Sequence, residues 1–243
     1  MALVGFGHVG RRFAELLPGP YARALRAAGL RVVITGVATG RHGLAIDPRG
    51  LRPADCLALI RRGGSLSTLH RGAPLSSTLD LIRCVPADVL VELTPLDPRR
   101  GEPAVSHVRA ALRRSLHVVT ANKGPAAFAL RPLRALARRR GRLFLHESAV
   151  MDGAPLFNLV ERCLPGVRVR VSPERLSAAD PLAGAGSDSA LVLETDLMGE
   201  IVLVERGGTV DQTAYGVLSD LLAVAGATGI GPAARGAGLR PRT

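Results

Sequence analysis

The chain has 243 residues, 47% of them hydrophobic, and a formal net charge of +12, which allows one large domain or two modest ones and excludes wholesale disorder. No apolar run approaches the ~18 residues of a membrane span, and the chain opens on an apolar strand without the basic head and cleavage site of a signal peptide. The positive charge is almost wholly arginine, scattered along the chain with no Trp and only two Tyr to stack on bases, so solvated basic faces that attract anionic ligands are expected, and neither nucleic acid nor membrane as a partner.

In chain order, a short apolar strand at 2–5 leads through Gly5-Phe6-Gly7-His8-Val9-Gly10 into a helix at 11–17. Strands are predicted at 31–37, 87–93, 117–120 and 142–147. Helices are predicted between them at 54–61, 103–116 and 132–140, with a helix or turn at 79–85. This alternation implies parallel βαβ units and a doubly wound α/β domain over residues 1–148. Beyond it the pattern changes to a small α+β unit over 149–225. That unit has a helix at 153–163, an alternating stretch at 168–171, two strands at 189–195 and 200–205 around a turn, and a well-patterned helix at 213–225. Residues 226–243, rich in Gly, Ala, Pro and Arg, are expected to be a disordered tail. The three cysteines, Cys56, Cys84 and Cys163, are far apart and odd in number. They read as buried small hydrophobes in a reducing, cytoplasmic setting, with neither a disulfide framework nor a zinc site.

Three stretches carry chemistry. In the glycine loop, Gly5 permits a sharp turn, Gly7 a close backbone approach to a pyrophosphate, and Gly10 tight packing of helix on strand, while the helix N-terminus offers its amides to the phosphate. The bare pattern also fits a glycine-rich turn in an unrelated fold, but its place between an apolar run and a helix favours a dinucleotide. At the end of the second strand no Asp or Glu stands ready for the ribose hydroxyls; Thr39, Arg41 and His42 are there instead and could accept a 2′-phosphate. NADP(H) is therefore favoured over NAD(H). In Thr120-Ala121-Asn122-Lys123-Gly124-Pro125, Lys123 is the sole lysine among 32 basic residues. A lysine can lend a proton near neutral pH where arginine cannot, which makes Lys123 the candidate proton-transfer residue.

Together with Ala45-Ile46-Asp47-Pro48, Val91-Glu92-Leu93-Thr94-Pro95 and the run from Glu147 to Pro155, these blocks resemble the homoserine dehydrogenase family over nearly all of residues 1–163. The resemblance resumes at Asp180-Pro181-Leu182 and runs through Gly207-Gly208 and Thr213-Ala214 to Leu222. It implies an oxidoreductase that interconverts homoserine and aspartate 4-semialdehyde by hydride exchange with a nicotinamide, in threonine and methionine biosynthesis. Residue by residue it implies that Phe6, His8 and Val9 lie against the pyrophosphate, with Thr94 and Lys123 near the nicotinamide and Gly207 on the phosphate side. It implies that Glu147, with the carbonyls of Val150, Asp152 and Ala154, holds a monovalent cation (Na or K), for which hard oxygen ligands are suited. A capping carboxylate is the alternative reading of Glu147.

The pattern also breaks. Between Glu161 and Asp180 the family carries a long segment with an Asn-Gly-Thr-Thr-Asn-like turn, substrate-holding acids and a second lysine that donates a proton; residues 162–179 here show none of these. Three accounts of the chain follow: a reduced but working enzyme acting on a small amino acid, a catalytically inactive NADP(H)-binding protein, and a truncated gene product. The family's dimer is built through the sheet that is shortened here, so a homodimer is open to doubt and exposed strand edges carry an aggregation risk.

Overall fold

A computed structural model describes residues 1–152, 156, 175–178, 180, 182, 183, 189–195 and 199–228. Its centre is a six-stranded sheet of order β3-β2-β1-β4-β5-β6. The strands are β1 (Ala2–Val4), β2 (Gly36–Ala38), β3 (Leu44–Ile46), β4 (Val89–Glu92), β5 (His117–Thr120) and β6 (Phe144–Leu145). All neighbours are parallel except β2 and β3, which form an antiparallel pair at one edge.

Successive residues of these short strands alternate between two apolar layers, as the pleat requires. Leu3, Val37, Val91 and Val119 face one core with α1 (His8–Leu16), α2 (Pro20–Ala27), α3 (Pro53–Arg61) and the last described helix, α7 (Val210–Thr228). Ala2, Val4, Ala38, Leu90 and Val118 face the other with α4 (Thr78–Cys84), α5 (Ala104–Arg113) and α6 (Lys123–Arg139). Burial on both faces explains why β4 opens on the apolar run Val89, Leu90, Val91 and why Val118 and Val119 stand side by side in β5.

Helix α7 packs the last described segment onto the β1–α1 side of the sheet. Ala214, Val217, Leu218, Leu221 and Val224 enter the same core as Leu3 and Phe13. A reciprocal cap starts the helix: Thr209 N–H donates to Gln212 Oε1 (2.6 Å) and Gln212 N–H to Thr209 Oγ1 (3.2 Å), which satisfies two otherwise orphaned groups. Arg12 on α1 grips Asp211 with both Nε and Nη2, at 2.5 and 3.0 Å. The separate hairpin of β7 (Ser189–Thr195) and β8 (Gly199–Glu205) is antiparallel, with Ser189 opposite Glu205 and Thr195 opposite Gly199.

Several expectations need correction. The edge strand β3 and helix α2 are unanticipated. The second strand pairs only over Gly36–Ala38 instead of 31–37, because its parallel partner β1 is itself three residues long. The expected helix at 132–140 is the second half of α6, which begins at Lys123 and kinks where Ala129 (φ −145°) precedes Pro132 by one turn. Cys84 is exposed, not buried. The last helix runs to Thr228, three residues into the supposed tail, where Thr228 Oγ1 donates to the Val224 carbonyl at 2.8 Å. Of the helix expected at 153–163 only Leu156 is described, and it is helical; the stretch at 168–171, Cys163 and residues 229–243 lie outside the described residues.

Candidate nucleotide-binding cleft

The sheet order reverses around β1: from it the chain goes first to β2 on one side and later to β4 on the other. Ligands of doubly wound sheets bind where such a reversal opens the carboxyl ends of the strands. There the protein has a cleft of ≈ 940 Å³ lined by the glycine loop, the β2–β3 turn, the segment after β4 and residues 121 and 122. A second cavity of ≈ 700 Å³ lies at the opposite, amino edge, around Met1, Arg114 and His117, where no strand carboxyl ends converge.

The three glycines of the loop have three different surroundings. Gly5 turns with φ +96°, a left-handed conformation, and a Cβ there would stand 2.4 Å from the Leu93 carbonyl. The end of β1 thus touches the end of β4 backbone to backbone. A Cβ at Gly10 would meet the Gly5 carbonyl oxygen at 2.4 Å, which sets helix α1 close on its strand. A Cβ at Gly7 would meet nothing within 4 Å: Gly7 lines the cleft and leaves room for a ligand to approach the main chain. Gly7 is the N-cap of α1 and no side chain caps it, so the first amides of the helix are available to an anion. These residues fit a dinucleotide pyrophosphate.

Phe6, His8, Val9, Thr39, Arg41 and Thr94 all line this cleft. Thr39 does so with its hydroxyl already committed. It donates to the Gly43 carbonyl (3.1 Å) and accepts from His42 N–H (2.6 Å), which locks the β2–β3 turn. Exposed Arg41 is then the cation the turn presents. His42 Nδ1 lies 3.1 Å from the Gly64 carbonyl, and since a carbonyl only accepts, that nitrogen bears the proton.

Glu92 ends β4 and is fully buried. Its Oε1 accepts from Thr94 N–H (3.1 Å) and from the Thr94 hydroxyl, and its Oε2 accepts from Thr120 Oγ1 (3.0 Å). Asn122 caps α6 by accepting from Gly124 N–H (2.8 Å) and donates to the Thr94 carbonyl (2.8 Å). Lys123 follows as the first residue of α6, exposed and outside the cleft lining. Gly207, with φ +60°, is likewise outside it. The sequence reading missed His107, Asn122 and Thr213 as lining residues; Asn122 lay in a quoted motif, whereas His107 in mid-helix carries no local signal.

Glu147 is buried and opens a one-turn 3₁₀ helix, Glu147–Ala149. Its amide donates to Asp220 Oδ2 of α7 (3.1 Å). Burial, with the Glu147 charge beside it, pushes the Asp220 carboxyl up to about 7 against the pull of that amide. Asp152 Oδ1 accepts from Thr213 Oγ1 (3.1 Å). The loop expected to hold a cation is thus pinned to α7 at Glu147 and Asp152; Val150 is half-buried beside it, and Ala154 lies outside the described residues. Among the described residues, no cluster of three or more His, Cys, Asp or Glu side chains could hold a metal ion, and no helix is long and apolar enough to cross a membrane.

The family model for the homoserine dehydrogenase NAD-binding domain matches residues 5–147, and that for homoserine dehydrogenase matches residues 126–222. An NAD(+)-dependent homoserine dehydrogenase of Pseudomonas canavaninivorans is 36% identical over 166 residues, which is 68% of this chain and 47% of that protein. A homoserine dehydrogenase of Methanocaldococcus jannaschii is 33% identical over 68% of this chain and 48% of its own length. The chain therefore spans about half the length of the curated relatives it matches. Among solved structures, a hyperthermophilic archaeal homoserine dehydrogenase in complex with NADPH superposes with a TM-score of 0.70 at 20% identity, covering 92% of this chain and 96% of that one. The Thermoplasma acidophilum homoserine dehydrogenase gives 0.69 at 18%, covering 93% and 98%. The likeness to these two structures is one of fold, while the match of the nucleotide-domain model over more than half of the residues fixes the family: the chain belongs to the homoserine dehydrogenases.

Proposed function

We propose that this chain binds NADP(H) in the cleft at the carboxyl edge of β1 and β4, as the cofactor half of a cytoplasmic homoserine–aspartate 4-semialdehyde oxidoreductase. The observation that carries the proposal is the glycine loop, closed by backbone at Gly5 and Gly10 and open to the cleft at Gly7. The pyrophosphate is assigned to the amides of Phe6 to Val9, and the 2′-phosphate to Arg41, since Thr39 is committed to its own turn. The bound dinucleotide would supply or accept the hydride at the substrate carbon. The chain's own part is to place the nicotinamide over Thr94 and Asn122 and to move the alcohol proton, for which Lys123 is the candidate. A monovalent cation held by Glu147 and neighbouring carbonyls would steady the loop at 147–152.

A second reading, an inactive NADP(H)-binding protein, is favoured by one observation: Lys123, the sole lysine, stands exposed outside the cleft lining. Titration with NADPH and NADH, together with homoserine turnover on the same preparation, separates the readings. The enzyme reading expects micromolar NADPH binding, turnover, and loss of turnover in Lys123→Ala. Binding without turnover leaves the second reading, and a folded sample that binds neither nucleotide overturns both. Arg41→Ala should weaken NADPH more than NADH; equal weakening would remove Arg41 from the 2′-phosphate.

A further inference from the structure

We infer that Glu92 is a positioning residue for the nicotinamide end of the cleft, acting through Thr94 and Asn122; this rests on the nucleotide reading above. Inward positions on a parallel strand covered on both faces are ordinarily aliphatic, and β4 reads Val89, Leu90, Val91 before the carboxylate. Burying a carboxylate there is costly unless its oxygens are satisfied, and an aliphatic residue would hold the strands together at least as well. What the carboxylate does that an aliphatic residue cannot is build a closed ring of hydrogen bonds. Glu92 accepts from Thr94 and from Thr120 Oγ1; Thr120 Oγ1 accepts from Asn122 N–H (3.1 Å); Asn122 Nδ2 returns to the Thr94 carbonyl.

The ring joins the segment after β4 to the segment after β5 at the cleft. Glu92 and Thr120 are fully buried beneath it, while Thr94 and Asn122 form part of its lining. From α5, His107 lines the same end. It is 4% exposed, and its buried Nδ1 lies 3.6 Å from Glu92 Oε1 without a hydrogen-bond partner. At the cleft the two segments are therefore braced from below by the Glu92 side chain before any ligand arrives, which is how a site avoids an ordering cost on binding.

The test compares two ligands on the whole chain: NADPH, and 2′-phospho-ADP-ribose, which lacks only the nicotinamide. Titration calorimetry gives their ratio of dissociation constants in wild type, Glu92→Gln, Thr120→Val and the double variant. In Glu92→Gln the advantage of NADPH over the fragment should shrink by about tenfold, with fragment affinity within about twofold of wild type. Thr120→Val should act in the same direction more weakly, and the double variant should be no worse than Glu92→Gln, because both act through one ring. If Glu92→Gln fails to fold, Thr120→Val alone decides. The assignment is overturned if both ligands weaken by one factor, if neither changes, or if wild type holds NADPH no tighter than the fragment. A wild-type chain that binds neither ligand overturns the nucleotide reading itself, and this assignment with it.

Discussion

A methyl group at Gly10 would press on the Gly5 carbonyl oxygen, while one at Gly7 would stand in open space. Gly10→Ala should therefore destabilise the fold by ~1–3 kcal/mol, since backbone cannot rotate away from an added carbon. Gly7→Ala should melt within ~0.5 kcal/mol of wild type and still lose nucleotide affinity, because its methyl occupies the approach to the loop. Urea midpoints and NADPH titration on the two variants decide it; a Gly7→Ala protein with unimpaired binding would move the pyrophosphate elsewhere. At the amino edge of the sheet, His117 Nδ1 accepts the Leu143 amide (3.1 Å) between β5 and β6, a bond only the neutral ring can make. Burial, and secondarily Arg142, hold its pKa below the ordinary 6.5. Between the folded value and 6.5 the unfolded chain binds the extra proton, so this contribution is present above 6.5 and is lost as pH falls below it. His117→Asn keeps an acceptor without titrating, so it should lose less stability than wild type between pH 7.5 and 5.5 in denaturant melts. An identical loss would show that His117 does not set the acid limb.

Among the elements, α7 is decided by one close contact. A Cβ at Gly216 would meet the Asp152 carbonyl oxygen at 2.2 Å and Ser148 Oγ at 2.3 Å. Helix propensity alone favours alanine there by ~1 kcal/mol, whereas the collision with main chain costs ~1–3 kcal/mol. Gly216→Ala should therefore lower the urea midpoint; a raised midpoint would mean that the helix does not seat on the 148–152 loop. This helix also shows what a sequence discloses. Its apolar spacing was legible over 213–225, and the two strands of the hairpin were legible as apolar runs on either side of a turn. Its true start was not anticipated, although Thr209 and Gln212 stand three apart as a reciprocal cap. Strand β3 is three residues between Gly43 and Asp47, too short for a period to show, and it exists because β2 offers it an edge. The parallel strands and the glycine loop were legible because each carries its own local pattern. Glu92 and His107 were not, since what matters about them is a distance across two elements.

Taken whole, the molecule is basic, and the cleft proposed for the nucleotide opens at one edge of its sheet. With a net charge of +12, its field should draw an anionic nucleotide from all sides and be screened over ~10 Å at 0.1 M salt. NADPH association should slow severalfold between 20 and 300 mM salt in stopped flow, with dissociation changing less; a flat association rate would confine the attraction to direct contacts. The docking of α7 has a bearing on how the protein is made. The core that holds Leu3 and Phe13 is completed by Val217, Leu221 and Val224, the first and the last described elements of one layer. At ~5–20 residues per second on the ribosome, the opening strand and helix wait for ten seconds or more before the helix that covers them has been synthesised. Through that interval the nascent chain carries an unsealed apolar face, and a chaperone that shields it would govern how much of the product reaches its native state.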